Sequence, residues 1–250
     1  MSSDVVDLRN FYAQRLGTVA RRFIGRGIRA RWADTSGLRV LGIGYATPYL
    51  GLFREEAERC LAFMPATQGV VKWPSASPGL VALADERELP LPDSAVDRVL
   101  LVHALEVSDD PGALLREVWR VLTAGGRLLV VVPNRRGLWA RMDTTPFGYG
   151  QPYSRTQILN LMRETWFTPT EWGEALYMPP VPRGWFLRAA LAWERTGATL
   201  SLPLAGVHIV EATKQVYRPI PSQRKRSRLV PALEPVLAPS PGRAVRDSNG

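Results

Sequence analysis

The sequence predicts an α/β domain built on a mostly parallel, seven-stranded sheet with helices on both faces. Three observations predict it. Short apolar runs alternate with amphipathic segments from residue 38 to residue 216. The run at 96–102 (VDRVLLV) is nearly continuous in apolar residues, as in a strand covered by helices on both faces. A chain of 250 residues, 46% hydrophobic and 22% charged, is long enough to bury one such core, with segments left over at the ends.

In order, residues 7–30 read as an amphipathic helix or helix pair. Leu8, Phe11, Tyr12, Leu16, Val19, Phe23 and Ile24 recur at helical spacing, with arginines between them. Strands follow at 38–43 and 60–64, with a helix expected over 49–59. Glu55, Glu56 and Glu58 on that helix read as a solvated face. Residues 80–84 and 96–102 give the third and fourth strands. Asp109 or Asp110 can cap the next helix and Pro111 suits its first turn. Gly125 and Gly126 are expected to stop it before a fifth strand at 127–132. Ser154 can cap a helix running to about Thr165. A strand within 168–177, a helix over 184–195 and a last strand over 206–216, with a structural His208, complete the pattern. Trp166, Trp172, Trp185 and Trp193 read as core or lid packing.

The net charge of +9 sits at the ends. Each end, through Arg31 and from Arg218 onward, carries seven basic and two acidic residues, and the middle is nearly neutral. The domain plan is therefore a basic amphipathic N-terminal segment over 1–31, a globular domain over 32–217 and a disordered basic tail rich in Pro and Arg over 218–250. Basic ends suit an acidic protein partner, but no nucleic-acid signature accompanies them. The single cysteine, Cys60, excludes an internal disulfide and a multi-cysteine metal site and fits a cytoplasmic setting. No apolar run is long enough to span a bilayer. No secretory signal pattern, Ser-His-Asp order, H-E-x-x-H or Walker loop is present.

One stretch carries more. Residues 85–134 read DERELPLPDSAVDRVLLVHALEVSDDPGALLREVWRVLTAGGRLLVVVPN. An acidic residue after the third strand, a Leu-Pro pair, a D-x-V strand, a helix ending R-V-L-x-x-G-G and an apolar strand occur in order. This resembles the central part of class I S-adenosylmethionine-dependent methyltransferases of the small-molecule type, and the resemblance extends over residues 38–216. It implies a Rossmann-like sheet, S-adenosylmethionine as cofactor and methyl transfer to a small-molecule acceptor. The family's cofactor loop, acid-x-G-x-G-x-G, falls on LGIGYATP. Gly44 matches the first loop glycine, while Gly42 stands at the acid and Ala46 and Pro48 at the later glycines. Met64 stands where an acid usually holds the ribose hydroxyls.

The resemblance places the cofactor against Gly42, Gly44, Tyr45, Ala46, Met64, Asp85, Glu86, His103 and Leu105, with Asp85 near the adenine amino group. His103, just past the fourth strand, is the candidate general base. Tyr149 and Tyr153, in a glycine-containing loop, and Arg135, after the fifth strand, are candidates for the acceptor site. The N-terminal segment and residues 146–193 are expected to form a lid. The missing acids also admit a second reading, a non-catalytic methyltransferase-like domain that binds another ligand or a protein. A nicotinamide-dependent oxidoreductase fits worse, since the G-x-G-x-x-G turn and the acid on the second strand are missing.

Overall fold

A computed structural model of the chain describes residues 4–76, 78–199 and 204–216. The expected tail over 218–250 lies outside the described residues. The N-terminal segment is a helix pair, α1 (Val5–Ala13) and α2 (Arg15–Arg31), joined at Gln14, whose backbone is extended (φ −77°, ψ 163°). Gly17 permits the tight junction: a Cβ there would overlap the backbone of Phe11 and Tyr12. Asp4 caps α1 by accepting a hydrogen bond from the Val6 amide at 3.2 Å.

The sheet comprises β1 (Arg39–Gly44), β2 (Arg59–Pro65), β3 (Val81–Ala84), β4 (Val96–Val102), β5 (Leu122–Pro133), β6 (Phe167–Ala175) and β7 (Val207–Lys214). Its order is β3-β2-β1-β4-β5-β7-β6. The first five strands are parallel, and β7 is antiparallel to both β5 and β6. Chain order reverses between β1 and β4, so the loops leaving these two strands flank the crevice where open α/β sheets take ligands. Arg39 and Asp97 clamp the opposite end, with Nε–Oδ2 at 3.0 Å and Nη2–Oδ1 at 3.1 Å.

Two apolar cores cover the sheet. One packs α1, α2 and α3 (Thr47–Leu50) on the face carrying Val40, Ala62, Leu100, Val131 and Ile209. The other packs α4 (Pro111–Val121) and α5 (Arg155–Glu164) on the face carrying Leu41, Val99, Leu101, Val130 and Val210. Asp110 caps α4 through the Ala113 amide, and a Ser154/Gln157 capping box starts α5. Two short helices, α6 (Gly184–Arg188) and α7 (Ala190–Thr199), stand where one was expected. Among the described residues no helix is long and apolar enough to cross a membrane.

Two further expectations differ from the structure. The helix expected over 49–59 is the four-residue α3. It ends at Gly51, and the chain continues as turns through Glu56. Glu56 is also not a freely solvated residue. It accepts two hydrogen bonds from Arg29, at 2.5 and 2.8 Å, and one from the Thr35 hydroxyl at 2.5 Å, tying α2 to the turn before β1. Gly125 and Gly126 likewise do not stop α4. The helix ends at Val121, and Leu122 already pairs with Val96 across a bulge.

The Arg29 and Thr35 hydrogen bonds hold the Glu56 carboxyl down at about 2. A carboxyl lowered on folding supports the fold above its unfolded value, ~4.3, and loses that support as pH falls toward the folded one. Stability should therefore decline between pH ~4.5 and ~2, and Glu56→Gln should flatten that decline in pH-dependent urea unfolding.

Candidate functional site

The crevice begins at Gly44, the last residue of β1, where the chain turns with φ +78° into α3. A Cβ there would collide with the Val102 carbonyl oxygen, so only glycine lets this turn approach the end of β4. Gly42, one pleat earlier on the same face, lies under α3. A Cβ would stand 2.7 Å from both Ala46 Cβ and Leu50 Cδ1. The position that the resemblance gives to a carboxylate therefore has no room for any side chain. Tyr45 and Ala46 are buried beside it, and Met64, at the end of β2, is 1% exposed in the same core.

His103 follows β4 in a left-handed conformation, φ +50°, which is strained for a residue with a side chain. Its ring is buried and held from both sides. Nδ1 lies 3.1 Å from Glu106 Oε1, and Nε2 lies 2.8 Å from the Tyr12 hydroxyl of α1. Tyr49 donates to that hydroxyl at 3.0 Å. One proton arrangement satisfies every link: Tyr49 donates to Tyr12, Tyr12 to His103 Nε2, and His103 Nδ1–H to the Glu106 carboxylate. Gln68 also donates its side-chain amide to the His103 carbonyl. Burial pushes the Tyr12 and Tyr49 hydroxyls well above the usual tyrosine range, so both keep their protons. Glu106 Oε2 has no hydrogen-bond partner.

Tyr12 stacks on Tyr45, with ring centroids 5.7 Å apart and planes 24° apart, and Phe147 lies against His103 with centroids 5.0 Å apart. The space beyond Gly44 and His103 is thus filled by the chain's own aromatic rings, Tyr12 foremost. From sequence, Tyr12 reads only as part of the apolar face of a helix, and Tyr49, Gln68 and Glu106 carry no site signal of their own. The spacing of His103 and Glu106 in HALEV was the one signal available.

Beside the filled part the crevice stays open. A cavity of about 350 Å³ opens between the ends of β2 and β3 and the loop after β4, lined by Thr67, Asp85, Glu86, Val107 and Asp109. Such a volume is in the range of small-ligand sites, ~300–1,000 Å³. Glu86 Oε1 accepts from the Ser108 hydroxyl at 2.5 Å, and burial raises its carboxyl above the ordinary carboxylate value. Asp85 is exposed and accepts the Arg87 amide at 2.9 Å.

The other selected residues lie apart from this cavity. Leu105 is buried in the α4/α5 core, and its carbonyl accepts the Tyr153 hydroxyl at 3.2 Å. Tyr153 is therefore directed into the core, with its hydroxyl pushed up to about 12 by burial. Tyr149 is half-buried, and Arg135 is exposed, 3.5 Å from Gln157 Oε1. Among the described residues no cluster of His, Cys, Asp and Glu could hold a metal ion.

Sheet order and switch-point crevice define a Rossmann-like α/β fold. Solved structures agree on the fold. An S-adenosylmethionine-dependent methyltransferase from Archaeoglobus fulgidus aligns at TM-score 0.56 and 17% identity, over 78% of this chain and 94% of that one. One from Mesorhizobium loti aligns at 0.52 and 14%, over 76% and 96%. The Burkholderia thailandensis 1,6-didemethyltoxoflavin-N1-methyltransferase, with bound 1,6-didemethyltoxoflavin and S-adenosylhomocysteine, aligns at 0.50 and 16%, over 76% of each chain. No curated protein matches the sequence. Residues 24–130 match the family described as Methyltransferase domain.

The family's cofactor meets a divided site here. Its nucleoside end offers hydroxyl and amino donors, and the Asp85/Glu86 cavity offers carboxylates to accept them. The rest of the cofactor would have to lie over Gly44, where the Tyr12 and Tyr45 rings stack. The residues fit the cofactor at one end and, with α1 in place, do not fit it at the other.

Proposed function

We propose that this chain transfers a methyl group from S-adenosylmethionine to a small-molecule acceptor, and that α1 must withdraw before the cofactor can bind. The observation that carries the reading is an open acidic cavity at the nucleoside end of a switch-point crevice whose other end is closed by Tyr12 of α1 stacked on Tyr45. The cofactor supplies an electrophilic methyl group. The chain's part is to position, to exclude water and to hold protons. Asp85 and Glu86 are the groups for the nucleoside, Gly44 gives close backbone approach, and His103, oriented by Glu106, becomes a free acceptor at Nε2 once Tyr12 leaves. A cytoplasmic setting fits the one buried cysteine.

The second reading, a non-catalytic domain of the same family, is favoured by the filled crevice, Gly42 and Met64. Mass spectrometry of small molecules retained by the purified chain separates the two, together with calorimetric titration with S-adenosylmethionine. Retained S-adenosylhomocysteine, or a Kd below ~100 µM, supports the enzyme. No heat at millimolar ligand, with none either after α1 is destabilised, supports the binding domain.

A further inference from the structure

A second cavity, about 520 Å³, lies at the far end of the sheet from the Asp85/Glu86 mouth, between the start of α5 and the β6–β7 pair. It also lies on the other side of the sheet from Tyr12. His208 shares a face of β7 with Val210 and Ala212, which pack under α4 and α5, whereas Tyr12 and Tyr45 belong to the opposite core.

We infer that this cavity binds a small oxyanion, a phosphate monoester or a carboxylate, that also carries a hydroxyl or amino donor. Three features argue for it. Arg136 and Arg155 line the cavity as exposed cations, and the Arg155 guanidinium is spread over the Trp172 ring, 4.8 Å from its centroid. The first turn of α5 faces the same space. Ser154 already caps the Gln157 amide, while the amides of Arg155 and Thr156 open the helix, where anions are favoured. His208 lines the cavity from the other end. It is 3% exposed, and neither ring nitrogen makes a hydrogen bond. Nδ1 sits 3.2 Å from Glu174 Oε1, out of hydrogen-bond alignment but beside a negative charge that favours a proton there. Nε2 is then an unmet, buried acceptor.

Glu174 sets the orientation. His208 and the Tyr177 hydroxyl, at 3.1 Å, hold its carboxyl below the ordinary range, so it stays ionised and repels an anion from that end. A ligand with its oxyanion at Arg136, Arg155 and the α5 amides, and a donor reaching His208 Nε2 and Glu174, satisfies both ends. Neither the cofactor nor the Tyr12–His103 contact enters this inference.

Calorimetric titration of the full chain tests it, with glycerol 1-phosphate as the hydroxylated probe, methyl phosphate as the probe without hydroxyls and lactate as the carboxylate. Glycerol 1-phosphate or lactate should bind with Kd near or below ~1 mM, and glycerol 1-phosphate at least ~10-fold more tightly than methyl phosphate. Arg136→Gln/Arg155→Gln should weaken binding ~10-fold or more. His208→Gln should abolish the advantage of glycerol 1-phosphate while leaving methyl phosphate unchanged. The inference fails if no probe gives heat at ~10 mM, or if the double arginine variant binds as the wild type does. That variant alters only exposed side chains, so it decides the matter even where His208→Gln does not fold.

Discussion

Tyr12→Phe should tighten S-adenosylmethionine binding by about 5- to 150-fold, although the residue touches no cofactor. The wild-type phenol links His103 Nε2, at 2.8 Å, to the Tyr49 hydroxyl, at 3.0 Å, inside a buried cluster. Removing the oxygen leaves a buried acceptor and a buried donor unmet, a cost of about 1–3 kcal/mol borne only while α1 is docked. The apparent affinity of a ligand for a fractionally populated open state scales with that fraction. A closed state weakened by 1–3 kcal/mol therefore raises affinity by the factor quoted, until the open state dominates. Titration of the variant and the wild type with S-adenosylmethionine or S-adenosylhomocysteine checks it. Equal affinities, or loss of binding in the variant, would show that α1 is no gate.

Gly42→Asp, the substitution that writes the family's acid into the loop, should damage the protein and leave cofactor binding no better. A Cβ at Gly42 stands 2.7 Å from Ala46 Cβ and Leu50 Cδ1, so α3 would have to lift from the sheet. Overpacking of that kind costs about 1–3 kcal/mol, and a buried carboxylate without a partner adds several more. In a domain of this size the melting temperature should fall by about 10 °C or more. A thermal melt at neutral pH reads it directly. An unchanged melting temperature with tighter cofactor binding would mean that α3 yields, and that the missing acid is a removable defect.

These two positions also mark where the sequence was legible. The strand–helix alternation, the Asp110 and Ser154 caps and the parallel run β1–β5 follow from local chemistry: apolar period, cap residues and glycine punctuation. Gly44 was readable because its role is backbone geometry, which glycine alone permits. Gly42 looked like a lost acid, yet its reason is the seating of α3, a tertiary contact no local pattern carries. Glu56 looked solvated because its partners, Arg29 and Thr35, stand 27 and 21 residues away. Tyr12 was hidden for the same reason. It lies 91 residues from His103, and the helical period that predicts its burial is silent on what it is buried against.

The junction at Gln14 has a consequence for how the crevice is controlled. Only this extended residue separates α1 from α2, and α1 contributes Leu8, Phe11 and Tyr12 to the core as one rigid rod. Rotation about a single pair of torsions would carry all three side chains away together, while α2 stayed seated through Arg29 and Glu56. Cofactor occupancy would then depend on the fate of nine residues near the amino terminus. Cleavage at that junction, or a bulky fusion ahead of Asp4, would turn a guarded site into a constitutively accessible one.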